Sequence, residues 1–159
     1  MGGVRADPGH GSAGWDGGDF ARLVEEARLA RRVGGPRRIA EPGALLAEVV
    51  GGLFGARADA EGGRFELAPW LPEGWRTMAL RRLRLHRTVL DVEVRPRAEW
   101  ATVRLAVSFG PPIALALSLR NTGPVARVML DEIELAGPRA IFTAQGEHEA
   151  RFFFGGEAR

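Results

Sequence analysis

The 159 residues include 22 arginines, no lysine and 20 carboxylates, so the formal charge of +2 is near balance, and the sequence pI of about 10.7 reflects arginine's high pKa rather than a surface built for nucleic acid. Without cysteine there is no disulfide framework, thiol nucleophile or thiolate zinc site, and without lysine there is neither a P-loop nor Schiff-base chemistry. The length fits one domain with appendages, and residues 60–159 alone suffice to bury a sandwich core without covalent staples.

Residues 1–18 hold seven glycines and little to build a core from, and are expected to form a disordered leader. They lack the apolar stretch of a secretory signal, and the apolar run 44–56, which contains Glu48, is too short to span a bilayer. The expectation is a soluble, cytoplasmic chain with no membrane partner. From Asp19 as N-cap, Phe20, Leu23, Val24, Ala27 and Ala30 recur at helical spacing until Gly34-Gly35-Pro36. A second helix begins near Pro42 and runs through Leu45, Leu46, Ala47, Val49 and Val50. It is apolar on nearly every side and so requires neighbours on several sides. Gly51, Gly52 and Gly55 release it.

The apolar period then changes from 3.6 to 2. Gly62-Gly63 turn the chain, Phe65 and Leu67 alternate as in a strand, and Pro69 and Pro72 are expected to stop further pairing in a corner bracketed by Trp70 and Trp75. Met78, Leu80, Leu83 and Leu85 predict a long strand with a bulge at Arg81-Arg82, where the apolar register skips a residue. A turn near His86-Arg87 leads to Leu90, Val92 and Val94 facing inward. Ala101, Val103, Leu105, Val107 and Phe109 follow, then Ile113, Leu115, Leu117 and Leu119. Shorter strands hold Val128 and Leu130, Ile133 and Leu135 after a tight Asp131-Glu132 turn, then Ile141-Phe142, and a closing strand spans His148 to Phe154. Seven or eight short strands with turns every eight to twelve residues predict a mainly β protein, an antiparallel β-sandwich preceded by one or two α-helices. The expected division is a leader over 1–18, a helical segment over 19–56 and a sandwich over 57–159.

The order helix, glycine turn, short strand, Leu-Pro-x-Gly-Trp carries a resemblance. Gly52-Leu53-Phe54-Gly55-Ala56-Arg57-Ala58-Asp59-Ala60, Gly63-Arg64-Phe65-Glu66-Leu67-Ala68-Pro69 and Leu71-Pro72-Glu73-Gly74-Trp75 resemble the junction between the helical barrel and the C-terminal β-domain of bacterial six-hairpin glycosidases, such as amylo-α-1,6-glucosidases (glycogen debranching) and α-L-rhamnosidase-like enzymes. The resemblance runs from about Pro42 to Phe154. It implies that the second helix is the last helix of a catalytic (α/α) barrel, that the catalytic carboxylates lie on barrel loops outside this chain, and that the chain is a barrel's tail plus its accessory β-domain.

The residues themselves offer little chemistry. Asp91 and Glu93, Glu132 and Glu134, and Glu147 and Glu149 are same-face strand neighbours about 7 Å apart, a spacing that suits glycosidic hydrolysis but equally a solvated strand face, which is the reading adopted. Alternation puts His148 on the opposite face from Glu147 and Glu149, so the three do not converge on a metal ion. His10-Gly11-Ser12-Ala13-Gly14 misses the nucleophile elbow by its first residue. No catalytic residue, metal or cofactor is expected. The arginines from Arg76 to Arg104 lack the interleaved aromatics of a nucleic-acid surface and are expected to pair with Asp91, Glu93 and Glu99 across an outer sheet face. Trp70, Trp75 and Trp100 are candidates for glycan contact or for an interdomain seam. Leu46, Val50, Leu53 and Phe54 are expected to form an exposed apolar docking surface for the barrel or for a second copy of this chain. The expected role is that of a non-catalytic brace or cap for a helical barrel. The alternative is a carbohydrate-binding module presenting its tryptophans to a glycan.

Overall fold

The computed structural model describes residues 49–59, 61–120 and 122–155. The leader, the helix expected from Asp19 and the body of the second helix, Leu46 included, lie outside the described residues. Where the second helix is expected to end, the segment Val49–Leu53 is a single helical turn. It is wider than an α-turn, since the Phe54 N–H bonds the Val49 carbonyl at 3.3 Å, a return of five residues instead of four. Gly51 and Gly52 occupy its middle, where no Cβ holds the tighter geometry.

Ten strands follow among the described residues: β1 (Arg57–Asp59), β2 (Arg64–Leu67), β3 (Met78–Leu85), β4 (Thr88–Pro96), β5 (Trp100–Phe109), β6 (Ile113–Leu117), β7 (Val125–Leu130), β8 (Ile133–Leu135), β9 (Ala140–Ala144) and β10 (Glu147–Phe154). They form a sandwich of a four-stranded sheet, β1-β2-β6-β9, and a six-stranded sheet, β3-β4-β5-β10-β7-β8. The count exceeds the seven or eight expected because strands as short as Arg57–Asp59 carry no apolar alternation to announce them. One pairing departs from the antiparallel pattern. β2 and β6 run parallel, with Phe65 opposite Leu115 and Leu67 opposite Leu117, because the chain crosses three strands of the other sheet before returning beside β2.

The core is what period-2 alternation places between the sheets. Leu90, Val92 and Val94 of β4, Ala101, Val103 and Leu105 of β5, and Ala150 and Phe152 of β10 face Leu67, Leu115, Leu117 and Ala140. The expected bulge in β3 is present. Register shifts between Leu80 and Leu83, and Arg82 takes a positive φ of 57°, which turns Leu83 and Leu85 back to the buried face. The Asp131-Glu132 turn also has positive φ at both residues, as a two-residue hairpin turn with the sheet's twist requires.

Two expectations are corrected. Phe109 does not face the core but is 70% exposed, because a second bulge, at Ser108, sets Val89 opposite Phe109 and Leu90 opposite Val107 and so turns the strand's end over. Pro69 does not end the pairing. It lacks one donor, but its carbonyl accepts the Arg120 N–H at 2.9 Å and the ladder continues to a bridge between Trp70 and Arg120.

Candidate functional site

Two places gather polar side chains in arrangements the fold alone does not demand: the junction where the helical turn meets the four-stranded sheet, and the outer face of the six-stranded sheet.

At the junction the segment after the helical turn runs beside the end of β2, with the Ala68 N–H donating to the Phe54 carbonyl at 3.1 Å and the Trp70 N–H to the Leu53 carbonyl at 2.8 Å. Leu53 and Phe54 are only 4% and 2% exposed, and Val50 is half-buried. The open docking surface expected from Leu46, Val50, Leu53 and Phe54 is therefore not present at Leu53 and Phe54. The backbone bonds to the β2 extension hold their segment against the sheet, and burial claims their side chains. Gly55 permits this approach: it has φ +58°, and a Cβ there would press on the Ala68 carbonyl. Arg120, just past β6, clamps the same place. Its Nε donates to the Ala68 carbonyl at 2.6 Å and its guanidinium also donates to the Gly52 carbonyl. Burial, with the like charge of Arg57, lowers its pKa from the usual arginine value, and no carboxylate among the described residues pairs with it. The Gly52 carbonyl belongs to the end of a helix, where unpaired carbonyls carry partial negative charge, so the guanidinium serves as a C-terminal cap delivered from the sheet.

On the outer sheet face, strand register lines Glu93, Arg104 and Glu149 across β4, β5 and β10. Arg81 reaches Asp91 at 3.4 Å and Glu93 at 3.1 Å, Arg95 also pairs with Glu93, and Glu149 takes both Arg104 at 2.8 Å and Arg151 at 2.6 Å. The expected pairing of the arginines with Asp91 and Glu93 is thus present, Glu149 joins it, and Glu99 makes no ion pair among the described residues. Asp91 also accepts the Arg82 N–H of the β3 bulge at 2.7 Å.

Beside this network a groove of about 470 Å³ reaches His148 and Asp131. His148 Nδ1 lies 2.6 Å from Asp131 Oδ2, while its Nε2 accepts the Gln145 N–H at 3.0 Å, so the neutral ring carries its proton on Nδ1. Asp131 Oδ1 in turn accepts the Glu149 N–H at 2.8 Å. Burial works to raise the Asp131 pKa, yet that N–H and the His148 ring bring it below the usual carboxylate value. Glu149 is lowered too, first by its bond to Arg104.

For these two carboxylates the shifts run against one role. A glycosidic general acid needs a carboxyl held protonated near neutral pH, and here the perturbed groups are pushed the other way and occupied by donors. Among the described residues no group of three His, Asp or Glu side chains is placed to hold a metal ion. Around Asp91, Glu93 and Glu149 the face is a network of paired charges.

The three tryptophans sit on different elements. Trp70 is half-buried at the junction, Trp75 is 39% exposed in the loop before β3, and Trp100 is half-buried at the start of β5. Sequence reasoning missed the partners of Trp100. Register sets Phe153 opposite it, the Arg97 guanidinium lies 5.9 Å from its ring centroid, and Arg127 lies 4.2 Å above the Phe153 ring. Alternation along β10, with Ala150 and Phe152 inward, put Phe153 on the outer face, but only strand order reveals that it meets Trp100. Arg120 left a fainter sign, a lone charge between an apolar strand and a turn.

No curated protein matches the chain. Residues 59–117, from the last residue of β1 to the last of β6, match the family model for glycosyl hydrolase family 65, C-terminal domain, and this stretch is thereby similar to a glycosidase C-terminal β-domain.

Proposed function

We propose that the chain is a non-catalytic accessory domain of a glycoside hydrolase that braces or caps a helical catalytic barrel. The observation that carries this reading is the match of residues 59–117 to a glycosyl hydrolase C-terminal domain, beginning just after a helical turn that Arg120 ties to the sandwich. The outer sheet face supports it, because Asp91, Glu93 and Glu149 are engaged by arginines and the lowered pKa values of Asp131 and Glu149 run against acid catalysis. Within the glycosidases, the junction motif from Gly52 to Trp75 favours the six-hairpin enzymes, of the glycogen-debranching amylo-α-1,6-glucosidase or α-L-rhamnosidase-like kind. Fold likeness alone does not carry an activity, so the test is biochemical. Purified alone, the chain is expected to release no sugar from glycogen, starch or rhamnosides, and to sediment as a monomer if its partner is a barrel rather than a second copy. Sugar release abolished by changing one of the chain's own acids would overturn the proposal.

A further inference from the structure

The outer face of the six-stranded sheet contains a second concavity, of about 240 Å³, whose floor is Thr102 and whose rim includes Arg95, Arg97, Arg151, Trp100 and Phe153. Thr102 is only 6% exposed as a residue, and what is exposed of it faces this concavity. Its hydroxyl is not among the side-chain atoms sealed from solvent without a partner, so it opens into the concavity and can donate to a group bound there. The surroundings say what kind of group that is. Four arginines line this concavity with one carboxylate, Glu149, which is already shared by Arg104 and Arg151, while Arg95 shares Glu93 with Arg81. Positive charge is therefore left over. Arg97 pairs with no carboxylate among the described residues. It spends one N–H on the Pro96 carbonyl at 3.0 Å and lies over the Trp100 ring, which holds the guanidinium while leaving its remaining donors free. Arg127 is held the same way over Phe153, alongside.

We propose that this concavity binds the oxyanion of an acidic sugar, a phosphate ester or a uronate, with Thr102 donating from the floor, the free donors of Arg97 forking the anion, Arg151 adding positive charge beside it while it holds Glu149, and the edge of Trp100 bordering the sugar ring. Oriented guanidiniums match the bidentate geometry of phosphate and carboxylate, and a hydroxyl below them adds a donor that water would otherwise fill. The anion is argued from the arginines. The choice of a sugar as its carrier rests on the glycosidase reading above.

The test is calorimetric titration of the full chain with glucose 6-phosphate, glucuronate, glucose and inorganic phosphate. Saturable binding of at least one anionic sugar, about tenfold tighter than glucose or inorganic phosphate, is expected. It should weaken about tenfold in Arg97→Ala and in Thr102→Val, both with unchanged melting temperatures, and should weaken with added salt. If Thr102→Val loses stability, Arg97→Ala at the exposed rim decides alone. The inference is overturned if neither anionic sugar binds, if glucose or inorganic phosphate binds as tightly, or if Arg97→Ala leaves affinity unchanged. These outcomes are read separately from the sugar-release assay, so failure of the anion site and failure of the glycosidase reading are distinguishable.

Discussion

Arg120 shows how one side chain decides whether two elements act as a unit. A half-buried guanidinium has given up water, and what it receives is two carbonyls, Ala68 on the sheet side and Gly52 on the helical side. Arg120→Met keeps the apolar stem but leaves both acceptors without their donor, and is expected to cost about 1–3 kcal/mol of stability in denaturant titration. Arg120→Lys keeps the charge but lacks the planar fork that reaches both oxygens, and should recover only part of the loss. If Arg120→Met unfolds at the wild-type midpoint, the clamp is not an energetic feature. Gly110 is a second such position, for steric reasons. At φ +99° it lies against the β3–β4 turn, where a Cβ would overlap the Arg87 carbonyl and sit 2.8 Å from the Thr88 Cα, and Thr88 also bonds the Pro111 carbonyl at 2.8 Å. Gly110→Ala meets both unfavourable φ and backbone overlap, and a loss of about 1–3 kcal/mol is expected, read as a lowered melting temperature.

At the scale of elements, bulges determine what each strand presents. The β3 bulge is stabilised by Asp91, which accepts the Arg82 N–H as well as pairing with Arg81. The backbone bond outweighs the exposed ion pair. Asp91→Ala should therefore cost about 1 kcal/mol, while Arg81→Ala changes stability by a few tenths at most, a contrast measurable in one series of urea titrations. This bulge was legible in the sequence, because Leu80 and Leu83 break the alternation that Met78 begins. The bulge at Ser108 was not. Val107 and Phe109 continue a perfect apolar alternation, and the register shift that exposes Phe109 comes from its pairing with Val89, a tertiary fact. The same distinction runs through the candidate site. Alternation located the core of β4 and β5 and the outward arginines, since it depends only on the chain's own period. It could not show that β10 inserts between β5 and β7, which is what brings Glu149 to Arg104 and Phe153 to Trp100. Burial of Leu53 and Phe54 was missed for a related reason: an apolar helix end looks the same in sequence whether its side chains await a partner or are already buried.

For the whole molecule, composition makes the response to pH one-sided. The chain has no tyrosine, cysteine or lysine, so between the histidines and the arginines nothing titrates except the terminal amine. Ion pairs built from arginine persist to about pH 12, whereas lysine pairs would begin to fail about two units earlier. In acid the situation reverses. Asp131 and Glu149 have folded-state pKa values below their unfolded values, so their stabilisation is complete above the ordinary carboxylate range and is lost as pH falls through the depressed folded values. As the 20 carboxylates are neutralised, 22 arginines remain, several of them crowded on the outer face of one sheet. The expected profile is a melting temperature flat within about 3 °C from pH 8 to pH 11, with a steep fall below about pH 4. Half-molar salt should raise the acid limb by screening the arginines from one another, while the same salt in the alkaline plateau has little repulsion to screen. A decline between pH 9 and pH 11 would mean that stability depends on a group other than the arginine network, and an acid limb insensitive to salt would assign the loss to the individual bonds of Asp131 and Glu149 instead of to collective repulsion.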